Sequence, residues 1–264
     1  MSGNEAFELV NERGWTRGLN NLVRSGLERW FKTRMWWIQS LIWGGVAGAM
    51  ISVMLFGSNA DLETARIVFS VFVGLMPGVA VIIIMQDALV GEKQEGTAAW
   101  VLSKPVARQS FYLSKFITNA IGILFNLVVV PCTVAYALFS IAEGAPADPL
   151  AYLGVMGVMF TSHMFFLSLT LMLGALFNGR GPVIGIGLTT LFLQQNLSGM
   201  LPVLRYVLPW SLVAPLSDPP DSMVSRLLLG QPVGSTYWIT LGIVVIEIAL
   251  FALIGLWKFN KQEL

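Results

Sequence analysis

The stretch IVFSVFVGLMPGVAVIIIMQ, residues 67–86, runs for twenty positions without a charged side chain. Twenty residues of α-helix rise about 30 Å, the thickness of a bilayer's hydrocarbon core. Hydrocarbon offers backbone N–H and C=O groups no partner, so a continuous apolar run of this length reads as a membrane-crossing helix. Five further stretches read the same way, giving six spans at 35–57, 67–86, 116–142, 150–177, 182–204 and 236–257. The third and fourth are long enough to tilt or protrude. The fold expected is all-α, a polytopic membrane protein with six transmembrane helices in one transmembrane domain over residues 1–264.

Composition agrees. Of 264 residues, 55% are hydrophobic and 12% charged, where a soluble domain is roughly a quarter charged. Mean hydropathy is +0.71. So few charges cannot cover a soluble surface of this size, which excludes an ordinary soluble enzyme, a disordered chain and a nucleic-acid binder. One cysteine, Cys132, excludes a disulfide within the chain, and one histidine, His163, excludes a two-histidine site. Residues 1–34 are polar and lack the short apolar core of a secretory signal, so no leader is expected to be removed.

The net charge of +1 conceals an asymmetry. Arg13, Arg17, Arg24, Arg29, Lys32 and Arg34 precede the first span. Lys93, Lys104, Arg108 and Lys115 lie between the second and third, Arg180 between the fourth and fifth, and Lys258 and Lys261 after the sixth. Those are thirteen of the sixteen basic residues; only Arg66, Arg205 and Arg226 fall in the alternate loops. Basic residues stay on the cytoplasmic side. Both termini are therefore expected in the cytoplasm, with the protein in the inner or plasma membrane.

Three segments do not span. Residues 4–33 contain an amphipathic stretch in which Trp15, Leu19, Leu22, Val23, Leu27, Trp30 and Phe31 repeat at three and four. Arg17, Arg24 and Lys32 fall largely opposite. Two readings stand: a helix lying in the inner membrane interface, or one packed on a soluble partner. The outer loop 205–235 carries five prolines, which stop any long helix. In it Asp221 could cap a short helix over 222–229, either re-entrant or a mere connector. The third segment is the cytoplasmic loop 87–115. From its residues it reads as a charged helix leaving the second span through Glu92, Lys93 and Glu95, a break near Gly96 or Pro105, and a basic return through Arg108 and Lys115. A charged element on the inner face suits docking to a cytoplasmic partner; a solvated connector is the alternative.

The order of residues in this loop is more specific than its charge. Glu92-Lys93-Gln94-Glu95-Gly96-Thr97, then Leu102-Ser103-Lys104-Pro105-Val106-Ala107-Arg108, then Lys115, resembles the loop after the second span in ABC type-2 (ABC-2) transport permeases. The intervals, nine residues from Gly96 to Pro105 and ten from Pro105 to Lys115, match that pattern. Ala98-Ala99 and Ser114 depart from it.

The resemblance implies a membrane-spanning subunit of an ABC exporter that works as a dimer, homo- or heteromeric. Each copy would carry a cytoplasmic ABC ATPase subunit. The segment 87–110 would be its coupling loop, with a coupling helix between spans two and three. Glu92, Lys93, Glu95, Gly96 and Thr97 would transmit ATPase motion, and Arg108 would brace the return. The 4–33 segment would be a connecting helix against the same ATPase, through Trp15, Arg17, Leu19, Arg24 and Trp30. The chain has no Gly-x4-Gly-Lys-Ser/Thr phosphate loop, so ATP and Mg are expected on the partner, and no cofactor on this chain.

Polar groups within the spans are the remaining candidates. Glu247 and His163 fall near the middle of spans six and four, where a charge costs roughly 2.5–3.5 kcal/mol. Similar depth allows a Glu247–His163 pair. Gln194, Gln195 and Asn196 are consecutive in span five and cannot all face one side of a helix. They either line a path or join helices by hydrogen bonds. Pro77-Gly78 and Pro131 predict kinks or local unwinding. Competing functions are an intramembrane enzyme, an ion-driven secondary transporter, and a non-transport membrane subunit that recruits or senses through an ATPase. The first lacks a nucleophile motif. The second lacks an internal repeat and intramembrane charge.

Overall fold

Asp61 and Asp148 each stand just before an apolar run, and each caps the helix that follows. The Asp61 carboxylate accepts the Thr64 N–H at 3.2 Å, and the Thr64 side chain together with that N–H holds its carboxyl below the usual range. Asp148 accepts the Leu150 N–H at 2.9 Å, with Pro149 in the first turn where its missing N–H costs nothing. In the computed structural model, which describes residues 14–58, 60–214 and 221–262, all regular structure is helical. The helices are α1 Leu19–Phe31, α2 Trp36–Gly57, α3 Leu62–Gln94, α4 Thr97–Leu102, α5 Arg108–Glu143, α6 Pro149–Leu176, α7 Arg180–Met200, α8 Trp210–Val213, α9 Met223–Leu228 and α10 Ser235–Asn260.

Five of these, α2, α3, α5, α6 and α10, are long and apolar enough to cross a membrane. At 21 residues α7 is long enough, but Gln194, Gln195 and Asn196 dilute its apolar character. The most apolar stretch of α6 is 72% buried, against 17% for α2 and for α10. Thus α6 is the central post, packed by α3, α10, α5 and α7, while α2 and α10 present apolar faces outward. Phe165 of α6 meets Phe251 of α10 edge to face. Gly78 of α3 lies where a side chain would touch both Phe166 of α6 and Leu191 of α7. Pro77 stays within continuous helix. Pro131 follows a π-helical turn, Leu124–Val129, the local unwinding expected of a residue that cannot donate a backbone hydrogen bond.

The loop expected from residue 87 begins later. The helix of the second span runs on to Gln94, through a π-helical turn at Asp87–Gly91. Gly91 keeps helical backbone angles within this turn, the first left-handed residue is Gly96, and the charged side chains of the extension all find partners. At 33 residues α3 is about 50 Å long, well beyond a bilayer core.

The start of the N-terminal helix expected at residue 4 lies outside the described residues. What is described begins with a turn at 14–18 and then α1. This helix packs on α5 of its own chain. Gly26 sits against Thr118, and a side chain at Gly122 would collide with the indole of Trp30. Val23, Leu27 and Phe31 remain along an open groove.

At the opposite end, Arg66 of α3 pairs with Glu143 of α5 and lies over the Phe139 ring. The segment after α7 folds into a 3-10 turn, Pro202–Arg205, and then two short α-helices rather than one. Val213 of α8 packs on Gly74 and Leu227 beside α6's Gly154. Gly74 is about 18 Å along α3, so this segment sits between the long helices. The cap of α9 is Ser222, not Asp221: its hydroxyl accepts the Ser225 N–H at 3.1 Å, and the Ser225 hydroxyl accepts the Ser222 N–H at 2.9 Å. Asp221 is held instead by the Arg226 guanidinium, which keeps its carboxyl below the ordinary value.

Two outcomes follow. Gly122→Leu overpacks the α1–α5 contact and lowers stability by about 1–3 kcal/mol. Gly45→Leu, where nothing of the chain lies within contact, leaves thermal melting in detergent unchanged. The Asp221–Arg226 pair contributes in full above the unfolded carboxyl value and is lost as pH falls through the lower folded one. Proteolysis of the segment 205–235 therefore rises on acidification, and Asp221→Asn removes that dependence.

Candidate functional site

Polar contacts between distant parts of the chain gather at the end of the bundle that holds most of the basic residues. The extension of α3 supplies the first set. Glu92, with 13% of its side chain exposed, is paired with Lys115 of α5, and Arg29 of α1 lies 3.8 Å from the same oxygen. Lys93 donates to the Phe177 carbonyl at 3.0 Å and the Asn178 side chain at 3.2 Å, capping the C-terminus of α6 with a cation. Gln94 donates to the Asn178 carbonyl at 2.9 Å. Asp87 pairs with Arg180 at the start of α7 at 2.8 Å. One helix thereby holds α1, α5, α6 and α7 together at this end.

At Gly96 the backbone takes φ 72°. That left-handed geometry is cheap only without a Cβ. It ends the α3 extension and starts α4, whose Thr97 is exposed. Glu95, just before the turn, is exposed and has no ion-pair partner among the described residues. Lys104 then lies over the Trp100 ring at 3.5 Å.

The turn before α1 is sewn to the start of α5. The Trp15 carbonyl accepts the Ser110 hydroxyl at 2.9 Å, and the Arg17 carbonyl accepts the Ala107 N–H at 3.1 Å. The Trp15 ring is exposed, Leu19 is half-buried, and Arg24 reaches Glu28 at 3.5 Å on the open face. Lys32 also bonds Glu28 and holds its carboxyl below the usual range. Trp30 donates its indole N–H to the Asn119 side chain at 3.1 Å. Arg108, at the start of α5, donates to the Gln262 carbonyl, and the Gln262 amide reaches the Ala175 carbonyl. Phe259 stacks on Phe111 with centroids 5.5 Å apart. The end of α10 is thus bound to the same cluster.

Between α1, α3, α4 and α5 lies a cleft of about 530 Å³. Arg29, Glu92, Glu95 and Lys115 line its charged side, Ile84, Met85 and Ala88 its apolar side.

The structure therefore brings together Glu92, Lys93, Glu95, Gly96, Thr97, Arg108 and the Trp15–Trp30 segment. It does not gather the intramembrane candidates. Gln194 is buried with its carbonyl oxygen unpartnered, while Asn196 faces outward; the side chain of Gln195 lies outside what is described. Helices α6 and α10 pack along much of their length, yet His163 and Glu247 do not pair. Both His163 nitrogens and one Glu247 oxygen are buried without a hydrogen-bond partner. Sequence reading missed Arg180, Asn119, Asn178 and Gln262. The first was visible as the lone basic residue between spans four and five. The other three are uncharged and gave no signal.

The Glu92–Lys115 pair is open to a direct test. Lys115→Met leaves Glu92 poorly paired in a mostly buried site and costs on the order of 2 kcal/mol, short of the full buried-pair penalty because Arg29 remains. Glu92→Gln with Lys115→Met recovers much of it, and a double-mutant cycle on thermal stability in detergent measures the coupling.

Residues 46–264 match the family described as ABC-2 family transporter protein. No curated protein matches the chain.

Proposed function

The chain belongs to the ABC-2 transporter family, a family of membrane transport subunits of ABC transporters, and from that premise we propose that it is the permease of an ATP-driven exporter. ATP and Mg are held by a separate cytoplasmic ABC ATPase subunit. That subunit docks at the basic end, with α4 as the coupling helix and α1 as the connecting helix. Helix α7 is the sixth crossing, both termini are cytoplasmic, and the protein resides in the inner or plasma membrane. A second permease copy, identical or diverged, completes the path. Gln194 and Asn196 of α7 are candidates for its lining.

The observation that carries this reading is the continuity of α3. One helix runs from Leu62 through the membrane to Gln94 and ends at the Gly96 turn. A force on Glu95, Thr97 or α4 is delivered to a helix of about 50 Å rather than absorbed in a flexible loop. The pairs from Glu92, Lys93 and Asp87 spread it to α5, α6 and α7. Close-packed interfaces of this kind shift between discrete arrangements rather than deforming smoothly.

The test is to co-express the chain with the ATPase encoded beside it, purify the complex and measure ATP hydrolysis and transport. Gly96→Val strains the turn by about 1–2 kcal/mol and, with Glu95→Gln, lowers ATPase stimulation or transport several-fold while the chain stays folded. Failure of any ATPase to co-purify sinks the proposal. A complex whose ATPase responds but moves nothing across the membrane points instead to a non-transport subunit that recruits or senses through an ATPase.

A further inference from the structure

We propose that the cleft at the basic end is a binding site for a single zwitterionic phospholipid of the adjoining leaflet. Its headgroup would carry an ammonium and a phosphate. The argument begins with the charges. Asp87 is taken by Arg180 at 2.8 Å and Glu92 by Lys115. Lys115 and Arg29 share the single Glu92 carboxylate, so one positive charge is left over on the wall beside one anion. Arg29 is 82% exposed, and its 3.8 Å ion pair is the longer of the two on that carboxylate. Glu95 has no ion-pair partner among the described residues. A headgroup with one charge of each sign matches that remainder, whereas a purely anionic one meets Glu95 unpaired.

The second observation is Asn119. It is 92% buried by its 8% exposure, its oxygen accepts the Trp30 indole, and its amide N–H groups have no acceptor among the described residues. It lines the cleft, so it offers a fixed donor to a phosphate or glycerol-ester oxygen. Gln39 of α2 adds a second amide.

The third is shape. Ile84, Met85 and Ala88 form the apolar wall. Ile84 is 39% exposed beside Ile83 on the outer face of α3, so the apolar wall continues into the surface that meets lipid. The volume of about 530 Å³ holds a headgroup and the start of an acyl chain. Trp30 closes the top, an amphipathic ring at the level where headgroups lie. The inference rests on the chain crossing a membrane with this end at its interface, not on ATPase docking.

The full chain is purified in mild detergent and offered dioleoyl phosphatidylethanolamine or dioleoyl phosphatidylglycerol. Bound lipid is counted by native mass spectrometry. The wild type retains the ethanolamine lipid over the glycerol lipid by about tenfold. Glu95→Gln brings the two near parity, Arg29→Ala lowers retention of both, and Gln39→Leu lowers it less. Arg29 and Glu95 are exposed, and thermal melting verifies that each variant is folded. Equal retention of the two lipids by the wild type overturns the proposal. So does retention indifferent to Arg29→Ala and Glu95→Gln in folded protein. The readout needs no ATPase: lost lipid binding with an intact ATPase complex refutes this site alone, and retained lipid without a captured ATPase refutes the transport reading alone.

Discussion

Hydrocarbon gives a polypeptide backbone no hydrogen-bond partner, and between helices it offers no hydrophobic gain, because lipid tails are as apolar as leucine. Association must come from close packing and from the few polar contacts that can be made. In this chain the packing centres on α6, buried along most of its length, with Gly78 of α3 admitting Phe166 and Leu191 and Gly255 of α10 admitting Tyr112. The outward faces of α2 and α10 are apolar, and nothing among the described residues covers them.

Among the described residues the ion pairs are confined to the two ends, and the ends differ. Away from the basic cluster, Arg66 with Glu143 joins α3 to α5, while Arg226 with Asp221 stays within the α9 segment. At the basic end the bonds run between helices distant in sequence. Glu92 joins α1 and α5, Lys93 and Gln94 reach the α6–α7 link, and Arg108 holds the end of α10. An end so cross-linked moves as a unit, which suits a surface that receives force from a partner. The same cross-linking sets two cations, Arg29 and Lys115, on one Glu92 carboxylate and leaves Glu95 without an ion-pair partner among the described residues.

Much of this was legible in the residues. Charge-free runs marked the long helices, since length and apolarity alone decide whether a segment can cross. Thirteen basic residues in alternate segments marked the polar end, and the Glu92–Lys115 pattern pointed to the family that residues 46–264 match. Other features were not legible. Residues 87–94 read as a charged helix opening the cytoplasmic loop; that it continues the second span without interruption, with its charges paired to α5, α6 and α7, was not legible. Asp221 read as a cap, but Arg226 takes its carboxylate and Ser222 caps in its place. Glu247 and His163 share a depth but do not pair, and depth is all that sequence supplies.

By itself, then, the sequence determined class, charge polarity and the segment that carries the family pattern, and it read six spans where five helices are long and apolar enough to cross. Each follows from local composition measured against one fixed length, the thickness of the hydrocarbon core. Tertiary structure alone decided that α1 lies on α5 through Gly26 and Gly122, that α8 and α9 sit between the long helices, and that the end of α10 is tied to Arg108. Those depend on which faces meet across tens of residues. In a medium where any apolar face is tolerated, local composition does not select the partner; close fit of small residues and pairing of the few charges do.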